Sequence, residues 1–219
     1  MKNKVKQTIS LYGKFIFLEI FLLVLFIFLS ISVVFNANFI ISTDNFIFNL
    51  VDFIRSTFTN NLFLFITFFG ETLFIFLGLI VALVCLKKKS IPLIVCLGSS
   101  AGISFILKNL IKRARPVGQF VNNLIINYTF PSSFSFPSGH SQNSLVFYMI
   151  LTFIILNNYK GKHKKLIITL SSIFVSLIML SRLILGVHFF TDILGGILLG
   201  LIIIVAYKFY VKIKQQKVI

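Results

Sequence analysis

Between two long apolar segments, residues 182–192 carry an arginine, a histidine and an aspartate: Ser181-Arg182-Leu183-Ile184-Leu185-Gly186-Val187-His188-Phe189-Phe190-Thr191-Asp192. Ionisable groups at membrane depth are costly, and they mark function or internal pairing. His188 and Asp192 are four apart, so on a helix they share a face and the carboxylate can orient the imidazole. Arg182 and Gly186 share the same spacing, and a glycine leaves a gap that backbone or ligand can approach. The stretch reads as half of a phosphate site, or as a re-entrant turn whose polar residues only cap two helix ends.

Two further segments favour the phosphate reading. Lys108 and Arg115-Pro116 follow one apolar run, and Pro137-Ser138-Gly139-His140 opens another. Taken singly, the cations are snorkelling anchors, Pro-Ser-Gly is a helix cap and a histidine is structural. Together they suit phosphoryl transfer. Lys108, Arg115 and Arg182 supply positive charge for the equatorial oxygens of a phosphoryl group, the arginines as bidentate forks. Ser138 and Gly139 offer backbone N–H groups, and Ser138 a hydroxyl, at a helix N-terminus. Two histidines can divide the labour. His188, backed by Asp192, is the better nucleophile, and His140 the better general acid for the leaving oxygen. His163 lies among lysines on the opposite side and has no assigned role.

The elements that must position these groups are membrane helices. The chain has 219 residues, 58% of them hydrophobic and 12% charged, with a mean hydropathy of +1.01; this excludes an ordinary soluble domain. The formal charge of +16 reads as membrane topology, with no nucleic-acid partner, because the lysines fall in short runs between apolar segments. Cys85 and Cys96 lie in apolar stretches as packing residues, and the sequence shows no metal motif.

The fold class expected is all-α: an integral-membrane bundle of six transmembrane helices forming a single domain over 1–219. The spans are placed at 15–35, 62–86, 91–111, 137–156, 166–185 and 188–207. The first has a basic start like a signal peptide, but it is long enough to span and is read as retained. Residues 45–58 are expected to form an interfacial helix in the first external loop, with Asn45, Asn49, Asp52 and Ser56 on its polar stripe, or else a short packed loop helix. Glu71 falls inside the second span, as a structural hydrogen-bonder or as part of a substrate groove. With both termini cytoplasmic, fifteen of the 21 basic residues lie inside. The other six are Arg55, Lys108, Lys112, Arg113, Arg115 and Arg182. Cations placed against the topological rule point to an anionic ligand. All three chemical segments then lie at the external ends of helices.

These segments resemble the three-part signature of the type-2 phosphatidic acid phosphatase superfamily, integral-membrane lipid phosphatases. K-x6-R-P is present as Lys108-x6-Arg115-Pro116, P-S-G-H as Pro137 to His140, and S-R-x3-G-x-H-x3-D as Ser181 to Asp192. The signature covers residues 108–192, and no position departs from it. The resemblance implies a six-helix enzyme acting on a lipid phosphate or pyrophosphate outside the cytoplasmic leaflet, with no metal or other cofactor and a phosphohistidine on His188. Lys108, Arg115, Ser138, Gly139 and Arg182 would hold the phosphate. The partners implied are the bilayer and a lipid phosphate: phosphatidylglycerophosphate, phosphatidic acid or undecaprenyl pyrophosphate. The setting implied is a bacterial cytoplasmic membrane with the site facing outward. The signature reads phosphate and ignores the tail, so selectivity is left to residues 36–60 and 117–136. A phosphotransferase with an alcohol acceptor, and a lipid-phosphate binding or translocating protein, are the alternatives. Arg182→Lys is expected to be poorly tolerated, since a point charge cannot replace a fork; unchanged kinetics would make Arg182 only an anchor.

Overall fold

A computed structural model describes residues 2–116, 131–157 and 159–216, with side chains from residue 12 onward. Among them it is all-helical: α1 (Lys2–Val34), α2 (Asn38–Ile54), α3 (Thr57–Phe68), α4 (Thr72–Leu86), a 3-10 turn (Lys87–Ser90), α5 (Ile91–Ile111), α6 (Gly139–Asn157), α7 (Lys164–Ile184) and α8 (Phe190–Gln216). The part of the proposed selectivity loop over 117–130 lies outside the described residues.

Local chemistry sets several boundaries. Asn36, a residue that tolerates the left-handed region, has φ 48° between α1 and α2. Ser56 and Thr59 form a reciprocal capping box that starts α3: the Thr59 N–H donates to Ser56 Oγ at 3.1 Å, and the Ser56 N–H to Thr59 Oγ1 at 2.7 Å. Proline in the first turn opens α5, and Lys112 at φ 51° closes it.

Among the described residues, five stretches are long and apolar enough to cross a membrane: Tyr12–Val34, Thr72–Ile111, Gly139–Asn157, Lys164–Ile184 and Phe190–Gln216. The difference from the six expected lies in the second of these, which is 40 residues long and contains α4, the 3-10 turn and α5. Forty helical residues would extend about 60 Å, twice a hydrocarbon core. The expected span over 62–86 is not one helix, because α3 stops at Phe68 and α4 starts at Thr72. Side chains of α6 take carbonyls at that break. Tyr148 Oη donates to the Phe69 carbonyl at 2.8 Å, and His140 Nε2 donates to that of Thr67 at 2.9 Å. Glu71 is therefore not mid-helix: it is the residue preceding α4.

The expected amphipathic helix forms as α2, earlier than 45–58. Its buried stripe is Ile40, Asp44, Phe48 and Val51, and Asn45, Asn49 and Asp52 are exposed. Arg55 follows it and ties α2 to α7, donating from Nε to the Ile184 carbonyl and from Nη2 to the Leu183 carbonyl, both at 2.9 Å. It thereby gives the Ile184 carbonyl a partner at the helix end and adds a second donor to that of Leu183.

Helix α8 packs against α1, α2, α5 and α6, and α6 packs in turn against α7; Ile193 of α8 joins Val175, Met179, Leu183 and Ile184 of α7 in one apolar cluster. The α6–α8 approach is close: a Cβ on Gly196 would stand 2.6 Å from the Ser138 carbonyl oxygen. Interhelical hydrogen bonds hold α5 to α6, where Ser100 Oγ donates to Asn143 Oδ1 at 2.6 Å and Gln142 Nε2 to the Ser100 carbonyl at 3.0 Å. Gly196→Ala is expected to overpack this seam, costing about 1–3 kcal/mol. Gly102→Ala, in open space on α5, should be neutral or gain about 0.5–1 kcal/mol. Thermal unfolding in detergent checks both, and equal midpoints for the two variants would refute the close approach.

Candidate active site

The third chemical segment is shaped by a helix stop. Gly186 has φ 66°, its N–H bonds the Leu183 carbonyl at 3.0 Å, and the Val187 N–H bonds that of Arg182 at 3.1 Å. These are the paired bonds of a Schellman motif, which needs a left-handed residue where Gly186 stands. The glycine is thus a turn residue, where spacing alone pointed to an open gap. The turn buries Arg182 at the end of α7 and His188 just before α8; each is 2% exposed.

His188 is held at both ring nitrogens. Nδ1 lies 3.3 Å from Asp192 Oδ2 and 3.2 Å from Ser135 Oγ. Nε2 lies 3.1 Å from Arg115 Nη1. A guanidinium can only donate, so Nε2 accepts and the proton belongs on Nδ1, facing the carboxylate. Burial pushes the imidazole from an ordinary 6.5 down to about 3; Asp192 opposes this by hydrogen bond and charge, while Arg115 and Arg182 add to it. The ring is neutral and its Nε2 lone pair is directed at a cation.

Asp192 has no exposed surface. Its carboxylate accepts from Arg113 Nη1 at 2.6 Å, from the Phe189 N–H at 2.9 Å, and from the Ser135 hydroxyl. Its own carbonyl accepts the Ser138 N–H at 2.9 Å, which fixes the start of α6. Ser138 is fully buried, and its Oγ lies 3.0 Å from Ser141 Oγ and 3.4 Å from the Ser141 N–H, the position of a helix cap.

The first segment reaches the same place. Beyond α5, the Ser135 N–H bonds the Arg113 carbonyl at 2.8 Å. Arg115 donates to the carbonyls of Ser133 at 2.6 Å and Val187 at 2.7 Å. Lys108 Nζ donates to the carbonyls of Phe134 and, at 3.2 Å, Ser135. A Cβ on Gly139 would stand 3.8 Å from Lys108 Cε. Arg182 Nη1 donates to Thr67 Oγ1 at 2.6 Å and lies 4.0 Å from Glu71 Oε1 at the rim. Thr67 also receives His140 Nε2, on its carbonyl at 2.9 Å with Oγ1 at 3.2 Å. All eight residues singled out from the sequence fall in this one region, with His140 and Arg182 joined through Thr67.

Sequence reasoning passed over four participants: Thr67, Ser135, Arg113 and Asp44. Arg113 stood in the unexplained basic cluster but outside the signature. For Asp44 there was a signal, a carboxylate four residues from both Ile40 and Phe48 on an apolar stripe. Among the described residues, no group of three or more His, Cys, Asp or Glu side chains is arranged to hold a metal ion. The site can bind a compact anion beside a neutral, oriented imidazole.

A neutral buried histidine has a linked consequence. Its folded value lies below the unfolded one, so the stability it permits is complete above pH 6.5 and is lost as pH falls toward 3. The thermal midpoint in detergent is expected to fall through that window, and His188→Gln to flatten the fall; parallel curves would place the acid sensitivity elsewhere.

The family model for the PAP2 superfamily matches residues 89–215. Over 122 residues, 54% of this chain, the sequence is 37% identical to phosphatidylglycerophosphatase B of Bacillus subtilis (strain 168). That match spans 56% of the curated relative, little more than half its length. The crystal structure of the first transmembrane PAP2 type phosphatidylglycerolphosphate phosphatase from Bacillus subtilis superposes with a TM-score of 0.78 at 27% identity, covering 89% of this chain and 96% of that one. Aquifex aeolicus LpxE superposes with a TM-score of 0.59 at 24% identity over 74% and 93% of the two chains, a likeness of fold alone.

Proposed function

The chain belongs to the PAP2 superfamily, and from that premise we propose that it is a membrane lipid phosphatase working through a phosphohistidine on His188. The observation that carries this is the His188 ring itself: Nδ1 is held by Asp192, and Nε2 lies 3.1 Å from the Arg115 guanidinium. A phosphoryl group drawn to Arg115 meets that lone pair.

Lys108, Arg115 and Arg182, with the Gly139 N–H and the Ser138 hydroxyl, bind the phosphate oxygens; the Ser138 N–H is committed to the Asp192 carbonyl. Nε2 of His188 attacks phosphorus as the bond to the leaving oxygen breaks, and His140 gives that oxygen a proton. His140 Nε2–H is committed to the Thr67 carbonyl, so Nδ1 is the nitrogen that serves: the ring must enter the first step as the imidazolium, gives up its Nδ1 proton to the leaving oxygen, and is neutral when water attacks. Water then attacks the phosphohistidine, His140 takes its proton, and phosphate leaves with His188 restored. Asp192 holds Nδ1–H throughout and stabilises the positive ring. The transition-state charge is met by lysine and arginine, the part a metal ion plays in other phosphatases, and the reaction is metal-independent.

The whole chain acts as one domain that crosses the membrane six times, with α4 and α5 as separate crossings joined at the basic turn Lys87–Ser90. Lysine-rich turns then face the cytoplasm and the site faces outward, which the positive-inside rule supports. Phosphatidylglycerophosphate is the first substrate to test, because the Bacillus subtilis relative found both by sequence and by structure carries that activity in its name. Phosphatidic acid and undecaprenyl pyrophosphate follow.

Phosphate release by the detergent-purified protein, with chelator present, is measured on all three lipids. Turnover is expected for at least one, and His188→Ala should lower it roughly a thousandfold or more. Hydrolysis by His188→Ala at the wild-type rate would sink the mechanism, and loss with chelator would reveal a metal. Turnover appearing only with an alcohol acceptor would indicate a phosphotransferase. Binding without turnover would indicate a translocating protein.

A further inference from the structure

Asp44 is 4% exposed on the buried stripe of α2. A carboxylate so placed must be fully partnered. Its Oδ1 accepts the Thr191 N–H at 2.9 Å. Its Oδ2 accepts the Thr191 hydroxyl at 2.8 Å and Arg113 Nη2 at 2.7 Å. The other end of the same guanidinium, Nη1, donates to Asp192 Oδ1 at 2.6 Å and to Thr191 Oγ1 at 2.8 Å. The guanidinium also lies over the Phe189 ring, 4.3 Å from its centroid. Apart from the Asp44–Arg113 bond itself, these contacts fall on residues 189–192, the segment that joins His188 to Asp192.

The charges matter as much as the bonds. A single Arg113–Asp192 pair would be neutral and would offer little to a ring that turns positive. Asp44 makes it a group of two carboxylates sharing one guanidinium, so one net negative charge remains beside His188. Arg113 meanwhile grips Oδ1 of Asp192 and leaves Oδ2 to face the imidazole.

We propose that Asp44 and Arg113 are positioning residues for His188. They fix the Asp192 carboxylate and keep its charge available when the ring accepts the phosphoryl group. This rests on the phosphatase reading for its kinetic consequence but not for its structural one. A merely structural role, pinning α2 to α8, would weaken the fold without changing how the ring is held.

The test uses Asp44→Asn, which keeps an acceptor for the Thr191 N–H, with Arg113→Gln and the double variant. Hydrolysis of phosphatidylglycerophosphate gives kcat and KM. Nitrogen-15 spectra of histidine-labelled protein in detergent give the tautomer of His188, assigned with His188→Ala; the chain has only three histidines. Each single variant is expected to lose on the order of 10- to 100-fold in kcat with KM nearly unchanged, by analogy with metal-bound histidines that lose an outer partner. The double variant should be no worse than the poorer single, because one network is broken once. The Nδ1-protonated tautomer of His188 should lose population. A folded Asp44→Asn with wild-type kcat and an unchanged His188 signal would overturn the proposal. So would a parallel loss of kcat, KM and thermal midpoint with the tautomer intact. If Asp44→Asn does not fold, Thr191→Val removes one hydroxyl and neither charge, and the same readings apply with a smaller loss. If the wild type hydrolyses none of the lipids, the tautomer alone decides, so the two readings fail separately.

Discussion

A carboxylate with no exposed surface, at the end of a helix buried in a bundle, is tolerated only if every oxygen is satisfied, and Asp192 meets that condition by drawing on the whole site. Its side chain takes Arg113 from the first segment, Ser135 from the returning loop, and its own neighbours Phe189 and His188. Its carbonyl takes the N–H of Ser138, where the second segment begins. The three parts of the signature, more than seventy residues apart at the extremes, are thus tied to one residue. Removing a partner from such a group leaves an uncompensated charge, so the arrangement holds together or fails as a unit. A backbone-to-backbone tie also explains why α8 and α6 must approach so closely at Gly196, since the Ser138 carbonyl lies against it.

The helical architecture was legible because its signals are local. Long apolar runs, lysine clusters and a proline at the first turn of α5 need no knowledge of neighbours, and the helices fall near the expected spans. The exceptions have tertiary causes. In Leu62–Leu86 only the glycines Gly70 and Gly78 could read as helix breaks, and α4 runs straight through Gly78. The break is stabilised by Tyr148 and His140 reaching across from α6 to carbonyls of Phe69 and Thr67. The polar stripe over 45–58 marks only part of α2, whose buried stripe begins at Ile40.

The site divides in the same way. His188 with Asp192 is a four-residue relation, and Ser138 with Gly139 is a helix start, so both could be read along the chain. Their supports could not. Asp44 meets Thr191 across 147 positions, and Thr67 meets Arg182 across 115. Such partners carry no spacing rule; a buried carboxylate among apolar residues is the only trace they leave. Gly186 shows the reverse error. Its position was noticed, but the paired bonds to Arg182 and Leu183 make it the pivot of a turn, a role visible only once the end of α7 is known.

The basic residues that seemed to defy the topological rule can now be weighed individually. That rule concerns charges carried by loops, whose transfer across the membrane is resisted. Arg55 holds the end of α7 through two carbonyls. Arg113 is shared between two carboxylates. Arg115 and Lys108 donate to the carbonyls of the 133–135 turn, and Arg182 is buried against Thr67. Only Lys112, at the exposed left-handed stop of α5, resembles an ordinary loop cation. Five of the six cations are therefore spent inside the protein, and the orientation proposed from the remaining lysines carries a much smaller contradiction than a count of charges suggests. The distribution also separates their work. Arg55 and Arg113 serve helix ends and carboxylates, leaving Lys108, Arg115 and Arg182 as the cations for which an anion-binding role is proposed.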